Sequence, residues 1–320
     1  ALYGDKYPLS TALARPLIAK NLVAIAREFN ADAVAHGCTG KGNDQVRFDL
    51  TINALGPDLE IITPAREWKM SREEAINYGE RFGIPAPVSK KSPYSIDVNL
   101  LGRSIEAGIL EDPMSPPCEE IFEMTSSIEK APKDPEDIVI EFVNGFPVAI
   151  NEEKLNHLEL IKRANLIAGK HGFGRLDMIE DRIVGIKSRE IYETPGLLLL
   201  IKAHKEIESL TLNPDVLEFK SLVDKKWGQL VYQGFWYGPL KSALDEFISS
   251  TQQSVNGIVK IRLHKGNAVI IGRSSIQNSL YREDLATYSK DDSFNHESAK
   301  GFIYMWGMSN KIWAESNKKK

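Results

Sequence analysis

Along the first 87 residues, short apolar runs alternate with stretches of helical spacing. Pro16 suits the first turn of a helix, and Leu17, Leu22, Ile25, Ala26 and Phe29 then recur at the spacing of one helical face. Asn30 is placed to cap that helix at its end. Residues 33–36 form an apolar run of strand length that breaks at Gly37. A helix over residues 48–54 and a strand over residues 59–63 follow, the strand stopped by Pro64. Ser71-Arg-Glu-Glu74 has the spacing of a capping box and opens a helix that ends near Gly83. Strands alternating with helices predict a mostly parallel α/β sheet, whose ligands sit beyond the carboxyl ends of the strands.

Pro85, Pro87 and Pro93 mark a boundary, and the pattern changes after it. Residues 110–137, rich in Pro, Glu and Lys, predict an irregular connection. Residues 138–150 read as a hairpin, because Ile138, Ile140 and Phe142 alternate with other residues ahead of the turn signal Asn144-Gly145. Helices are predicted over residues 157–170, 195–210 and 216–232. A second hairpin joins residues 257–264 to 268–272 through Lys265-Gly266-Asn267. The second unit is therefore α+β with antiparallel strands. Residues 301–316 carry Phe302, Met305, Trp306, Ile312 and Trp313, which need cover from the parent domain or from a neighbouring subunit.

Composition narrows the function classes. At 320 residues the chain suits two packed units, and 42% hydrophobic residues can fill their cores without staples. A net charge of −4 gives no push toward nucleic acid or an anionic membrane, and the lysines at 318–320 read as a solvated end. No apolar run approaches the roughly 20 residues that a membrane-spanning helix needs. Two cysteines, Cys38 and Cys118, form neither a zinc pattern nor a disulfide framework, which favours a reducing, cytoplasmic setting. The six histidines include no pair at metal-ligand spacing, so no metal-binding residue is expected.

The chemistry concentrates at residues 36–48, His36-Gly-Cys-Thr-Gly-Lys-Gly-Asn-Asp-Gln-Val-Arg-Phe48, between a strand and a helix. Gly37, Gly40 and Gly42 let backbone N–H groups approach an anion without a Cβ in the way, while Lys41, Asn43, Asp44, Gln45 and Arg47 crowd polar heads beside them. Such a loop suits a nucleotide or a carboxylate. It is neither a Walker A loop nor Gly-x-Gly-x-x-Gly, and alone it reads as readily as a solvated glycine turn.

Further motifs remove that ambiguity. The loop closely resembles the signature loop of argininosuccinate synthases. Tyr7-Pro-Leu-Ser-Thr-Ala-Leu-Ala-Arg-Pro16, Pro93-Tyr-Ser-Ile-Asp97, Asn99-Leu and Ser104-Ile-Glu-Ala-Gly-Ile-Leu-Glu-Asp-Pro113 are similar to segments of the same family. So are Arg175-Leu-Asp-Met-Ile-Glu180, Gly185-Ile-Lys-Ser-Arg189, Ile191-Tyr-Glu-Thr-Pro195, Leu230-Val-Tyr-Gln-Gly-Phe-Trp236 and Ser279-Leu-Tyr281, all in the family's order.

The resemblance implies an α/β fold: the remainder of a Rossmann-like, parallel-sheet nucleotide-binding domain of the ATP-pyrophosphatase type over residues 1–87. An α+β synthetase domain over 88–300 and a helical oligomerisation tail over 301–320 follow. It implies ligation of citrulline to aspartate through a citrullyl-adenylate, with ATP as a substrate accompanied by Mg2+. A cytoplasmic homotetramer with no nucleic-acid or membrane partner is expected.

Carried over by position, Gly37 resembles the place where backbone meets the nucleotide. Thr39, Asn43 and Asp44 resemble the aspartate-binding positions. Tyr7, Asn43, Arg47, Ser95, Ser104, Glu180 and Tyr192 resemble the citrulline contacts. No residue is assigned a catalytic proton transfer. His36 reads as a packed residue orienting the loop in preference to a general base, and Cys38 is not read as a nucleophile.

Two departures stand out. Ala12 occupies a place where some relatives have a serine in contact with citrulline. The family's Ser-Gly-Gly-Leu-Asp-Thr-Ser phosphate loop occurs nowhere in the 320 residues. The chain as written is therefore expected to be truncated and unable to activate citrulline. The competing readings are another ATP-pyrophosphatase enzyme, forming an amide or thiolating its substrate, and a non-catalytic amino-acid-binding or assembly module.

Overall fold

The structure, a computed structural model, describes residues 1–68, 70, 72–84 and 94–318. It begins with α1 (Ser10–Glu28), β1 (Ala33–Ala35), α2 (Asn43–Leu55), β2 (Glu60–Ile62), α3 (Pro64–Glu67) and α4 (Arg72–Arg81). β1 and β2 pair in parallel with Val34 opposite Ile61, so α2 is the crossover of a βαβ unit. Ala19, Val23 and Ala26 of α1 close over Val34, Ile52 and Leu59 to form its core.

Three expectations here are corrected. Pro16 lies inside α1 and not in its first turn, so Ala12 forgoes a helical donor to its carbonyl. The buried face of α1 is built from Ala12, Pro16, Ala19, Val23 and Ala26, whereas Leu17 is 62% exposed and Phe29 74%. Small side chains let the helix approach α2 closely, and that proximity outweighs the larger apolar residues on the other side. The helix expected over residues 48–54 begins at Asn43, with Gly42 as its N-cap. Asn43, Asp44 and Arg47 are thereby held on a helix and not on a loop. Asn30 does adopt the left-handed conformation that ends α1, with φ of 50°. Ser71, proposed to open the α4 capping box, and the prolines at 85, 87 and 93 lie outside the described residues.

The remainder of this compact unit, which extends to Asn278, contains two antiparallel sheets. β3 (Ser95–Asn99), β4 (Gly102–Glu106), β8 (Arg175–Asp181) and β9 (Lys187–Glu193) form one, in the order β3-β4-β9-β8. β5 (Glu136–Val143), β6 (Phe146–Ile150), β7 (Glu153–Lys154), β10 (Gly257–His264) and β11 (Asn267–Ser274) form the other, in the order β11-β10-β5-β6-β7. The helices are α5 (His157–Lys170), α6 (Pro195–Thr211), α7 (Pro214–Tyr232) and α8 (Pro239–Gln252). α5 and α6 cover the five-stranded sheet, burying Ile138, Ile140, Leu160, Leu199, Ile207 and Val259 together. Each such side chain contributes about 1.5–3 kcal/mol by leaving water. Both predicted hairpins form, and their turns (Asn144, Gly145 and Lys265, Gly266) have the positive φ pairs that a two-residue turn demands.

The segment between β4 and β5 is irregular, with short 3-10 turns at Gly108–Glu111 and Glu119–Ile121. Glu193 holds it in place. Its fully buried carboxylate accepts hydrogen bonds from Arg103 Nη1 (2.9 Å), from the amides of Glu123, Met124 and Thr125 (3.0, 2.9 and 2.8 Å), and from Thr125 Oγ1 (2.6 Å).

A second compact unit, Ser279–Lys320, contains α9 (Glu283–Ala286), α10 (His296–Trp306) and α11 (Met308–Ser316). The Asn295 side chain caps α10 by accepting from the Ser298 amide at 3.0 Å. Phe302, Trp306, Ile312 and Trp313 are all exposed. Among the described residues no helix is long and apolar enough to cross a membrane.

Candidate functional site

The start of α2 and the four-stranded sheet face each other across a polar pocket. Tyr7, Asn43, Asp44, Arg47, Ser104, Glu180 and Tyr192 line it, seven of the residues singled out from sequence. They come from four separate stretches of chain: the segment before α1, the first two turns of α2, β4, and the β8–β9 pair. Register sets part of the geometry, because Ser104 lies opposite Tyr192 across β4 and β9.

Glu180 is the hub. It accepts from Tyr192 Oη at 2.5 Å and from Tyr232 Oη at 2.8 Å, and Tyr232 Oη in turn accepts from Asn43 Nδ2 at 2.8 Å. Burial pushes the Glu180 carboxyl up, with both hydroxyls and the Arg47 charge opposing it. Burial likewise raises Tyr192 and Tyr232, with Glu180 adding to both, so they remain hydroxyl donors at neutral pH. Tyr7 stacks on Tyr192 at 3.8 Å between centroids, and Tyr3 on Tyr232 at 3.7 Å. These stacks leave the phenol rings little freedom to reorient.

Asp44 and Arg47 form the charged side of the pocket. Arg47 is only 5% exposed; its Nε donates to the Tyr232 carbonyl at 3.0 Å and its Nη1 to Asp44 Oδ1 at 2.9 Å. Arg15 Nε donates to Asp44 Oδ2 at 2.7 Å and the same guanidinium also pairs with Asp97. Burial tends to raise the Asp44 carboxyl, but Arg15 and Arg47 outweigh it and hold the group below the usual carboxylate range. At the far wall, Arg182 bridges Glu106 and Glu190, at 2.9 Å from the latter. Burial and the Glu106 carboxylate push Glu190 up to about 8, although Arg182 opposes them.

Gly37, Thr39 and Ser95 line a different space, a cavity of about 930 Å³ adjoining the loop. Trp68, Tyr78 and Tyr94 supply flat aromatic surface there, beside His36, Pro64 and Ile96. A Cβ built on Gly37 would meet no atom of the described residues within 4 Å, so none of them requires a glycine at this place. The predicted set is therefore divided between two neighbouring cavities, with the loop between them.

The loop itself is tied down. His36 Nδ1 accepts from the Cys38 amide at 3.3 Å, which leaves Nε2 to donate to Asp49 Oδ1 at 2.7 Å. Both ring nitrogens are engaged, which suits an orienting residue better than a general base. Gln45 Nε2 donates to the Gly40 and Gly42 carbonyls at 2.6 and 3.2 Å, and Arg66 Nη1 reaches Gln45 and Asp49 at 3.2 and 2.9 Å. Burial and the nearby Asp44 push the Cys38 thiol up to about 11, where it is a poor nucleophile. Ala12 is fully buried in the core behind Tyr7, not exposed to the pocket.

Sequence reasoning missed Arg15, Asp97, Glu106, Arg182, Glu190 and Tyr232. Arg15, Asp97, Glu106 and Tyr232 lie within segments already singled out, so a signal existed without a role attached. Arg182 and Glu190 fall just outside those segments. Among the described residues, no group of three or more His, Cys, Asp or Glu side chains is placed to hold a metal ion.

The sequence compares closely with known proteins. The family model described as "Arginosuccinate synthase N-terminal HUP domain" matches residues 1–85, and "Arginosuccinate synthase C-terminal domain" matches residues 94–313. The argininosuccinate synthase of Prochlorococcus marinus subsp. pastoris strain MED4 is 80% identical over 320 residues, covering 100% of this chain and 79% of the relative. That of Prochlorococcus marinus strain MIT 9301 is 79% identical over 319 residues, 100% of this chain and 79% of its own length. The strain NATL1A protein is 67% identical over 318 residues, 99% of this chain and 80% of the relative.

Proposed function

The chain belongs to the argininosuccinate synthase family, and from that premise we propose how its two cavities divide the substrates. The enzyme is an ATP-dependent C–N ligase that joins citrulline to aspartate. The ureido oxygen of citrulline attacks the α-phosphorus of ATP and pyrophosphate leaves. The aspartate amine then attacks the activated carbon and AMP leaves, giving argininosuccinate.

Citrulline belongs in the polar pocket, held by Tyr7, Asn43, Arg47, Ser104, Glu180 and Tyr192, with Ser95 reaching it from the adjoining wall. The observation that carries this is the convergence of these side chains on one pocket from distant segments. Arg47 supplies a fixed cation for a carboxylate, and Glu180 a fixed acceptor for a polar head. Aspartate belongs at the start of α2, with Thr39, Asn43 and Asp44. Its carboxylate suits the hydroxyl and amide, and its ammonium suits the carboxylate of Asp44. ATP belongs in the larger cavity, its base against the aromatic wall and its phosphates close to the backbone at Gly37.

This arrangement accelerates the reaction by placement and charge, because it holds the attacking oxygen and the phosphorus in line and excludes competing water. Mg2+ would enter with ATP as part of that substrate. Residues 1–87 form the nucleotide-binding domain and also contribute amino-acid contacts, 88–300 form the synthetase domain, and 301–320 serve the assembly of a homotetramer working in the cytoplasm. A non-catalytic binding module and another ATP-pyrophosphatase enzyme are not favoured, because both family models and the close relatives are argininosuccinate synthases.

An initial-rate assay of pyrophosphate release, on the chain extended by the family's Ser-Gly-Gly-Leu-Asp-Thr-Ser phosphate loop, tests the reading. Release that needs citrulline and ATP together supports it; citrulline binding with no response to ATP would favour the module.

A further inference from the structure

The tight turn between β8 and β9 is joined to both sides of the site. The Arg182 amide donates to the Ile186 carbonyl at 2.8 Å and the Gly185 amide to the Arg182 carbonyl at 2.8 Å, so residues 182–186 form a closed turn. Arg182 projects toward the pocket, where its Nη2 pairs with Glu106 and with Glu190. Its Nη1 donates to the Lys41 carbonyl at 3.2 Å. The next amide, Ile183, donates to Asn43 Oδ1 at 2.9 Å. That contact orients the Asn43 amide so that Nδ2 points to Tyr232, which in turn donates to Glu180.

A closed path of contacts thus runs from Glu180 and Glu190 in the sheet, through the turn, to Lys41 in the loop and Asn43 at the start of α2. A molecule engaging the sheet side changes the positions of Glu180 and the Arg182 partners, and the turn passes that displacement to the loop. We propose that the β8–β9 turn is a clasp coupling the citrulline pocket to the aspartate-binding loop, with Arg182 as its positioning residue. This inference rests on the assignment of citrulline to the pocket and aspartate to the loop. Citrulline binding orders the loop and so raises the affinity for aspartate. By linkage, aspartate raises the affinity for citrulline by the same factor.

The test is calorimetric titration of citrulline with and without saturating aspartate, in the absence of ATP, on the full chain and on Arg182→Lys. Lysine keeps the charge but offers a single point of donation, so it cannot span two carboxylates and the Lys41 carbonyl. The unchanged protein should show at least about fivefold tightening of citrulline by aspartate. The variant should bring that ratio to within about twofold of unity; the ratio is the readout, whatever the change in affinity for citrulline alone, because Arg182 also lines the pocket. Amide hydrogen exchange provides a second readout: citrulline should protect residues 37–43 in the unchanged protein and fail to do so in the variant. A purely structural role would weaken binding and stability together and leave the ratio and the loop protection intact; that result would overturn the clasp alone. Failure of Glu180→Gln to weaken citrulline binding would overturn the pocket assignment, and the clasp with it.

Discussion

Glu190 offers a prediction whose sign and size follow from its surroundings. The residue is 8% exposed on β9, facing Glu106, Arg182 and Glu180, with Ser188 Oγ donating to it at 3.1 Å. Burial and the Glu106 charge raise its carboxyl from an ordinary 4.5 to about 8. A raised value means that the folded protein holds this proton more tightly than the unfolded chain does. Below pH 4.5 both states are protonated and the group costs nothing. As the pH climbs from 4.5 toward 8 the unfolded chain ionises first, so folding loses stability over that window, and the full penalty stands above about 8.

At about 1.36 kcal/mol per pH unit the loss has an upper limit of about 5 kcal/mol, and movement of Arg182 toward the new charge would bring it to about 2–4 kcal/mol. Glu190→Gln keeps the shape and removes the titration. Urea unfolding at pH 5.5 and 8.5 should find the two proteins within about 1 kcal/mol of each other at the lower pH. At the higher pH the glutamine variant should be more stable by about 2–4 kcal/mol. A variant less stable by the same margin at both pH values would refute the reasoning, because Arg182 would then be keeping Glu190 ionised throughout.

Gly37→Ala should leave stability within about 0.5 kcal/mol, since no atom of the described residues lies within 4 Å of the added methyl. It should weaken ATP binding by about tenfold, as measured by competition with a fluorescent nucleotide. Unchanged ATP affinity would remove Gly37 from the nucleotide site. Glu193→Gln places an amide against the donors that the buried carboxylate satisfies. It should cost about 3–5 kcal/mol in chemical denaturation without changing which substrates bind. A loss below about 1 kcal/mol would mean that the irregular segment is held by other contacts. Removing the residues after Gly301 should reduce the mass in solution measured by light scattering, and an unchanged oligomer would refute assembly through the tail.

Legibility in the sequence tracked how local the determining physics is. α5, α6 and α7 were readable because their apolar spacing lies within the segment itself; α5 and α7 also have local caps, Asn156 and Asn213 each accepting from an amide three residues on. The two hairpins were readable because Asn144-Gly145 and Lys265-Gly266 carry the backbone signal. The four-stranded sheet was not. Lys187–Glu193 runs Lys-Ser-Arg-Glu before its adjacent Ile191-Tyr192 and shows no alternation, while Ser95–Asn99 alternates over only five residues, with Ile96 and Val98 exposed. α8 was missed although Leu240, Ala243, Leu244, Phe247 and Ile248 recur at helical spacing behind an N-terminal proline, so a signal for it existed.

Among the site residues, those of the 36–48 loop were visible as a motif, because glycines and charged heads crowd into a few positions. Arg182 and Glu190 were not, since Arg182 acquires meaning only by facing Glu106 and the Lys41 carbonyl across the fold, and Glu190 only by facing Arg182 and Glu106. Tyr232 is a similar case, meeting Asn43 and Glu180 from the end of a helix in a later part of the chain.

The central claim is that citrulline occupies the pocket organised by Glu180. Calorimetric titration of citrulline into the protein and into Glu180→Gln tests it most directly. The account predicts a saturable heat in the unchanged protein and an affinity lowered by about tenfold or more in the variant, equivalent to at least about 1.4 kcal/mol. Equal citrulline affinity in the two, with the variant folded, would contradict it.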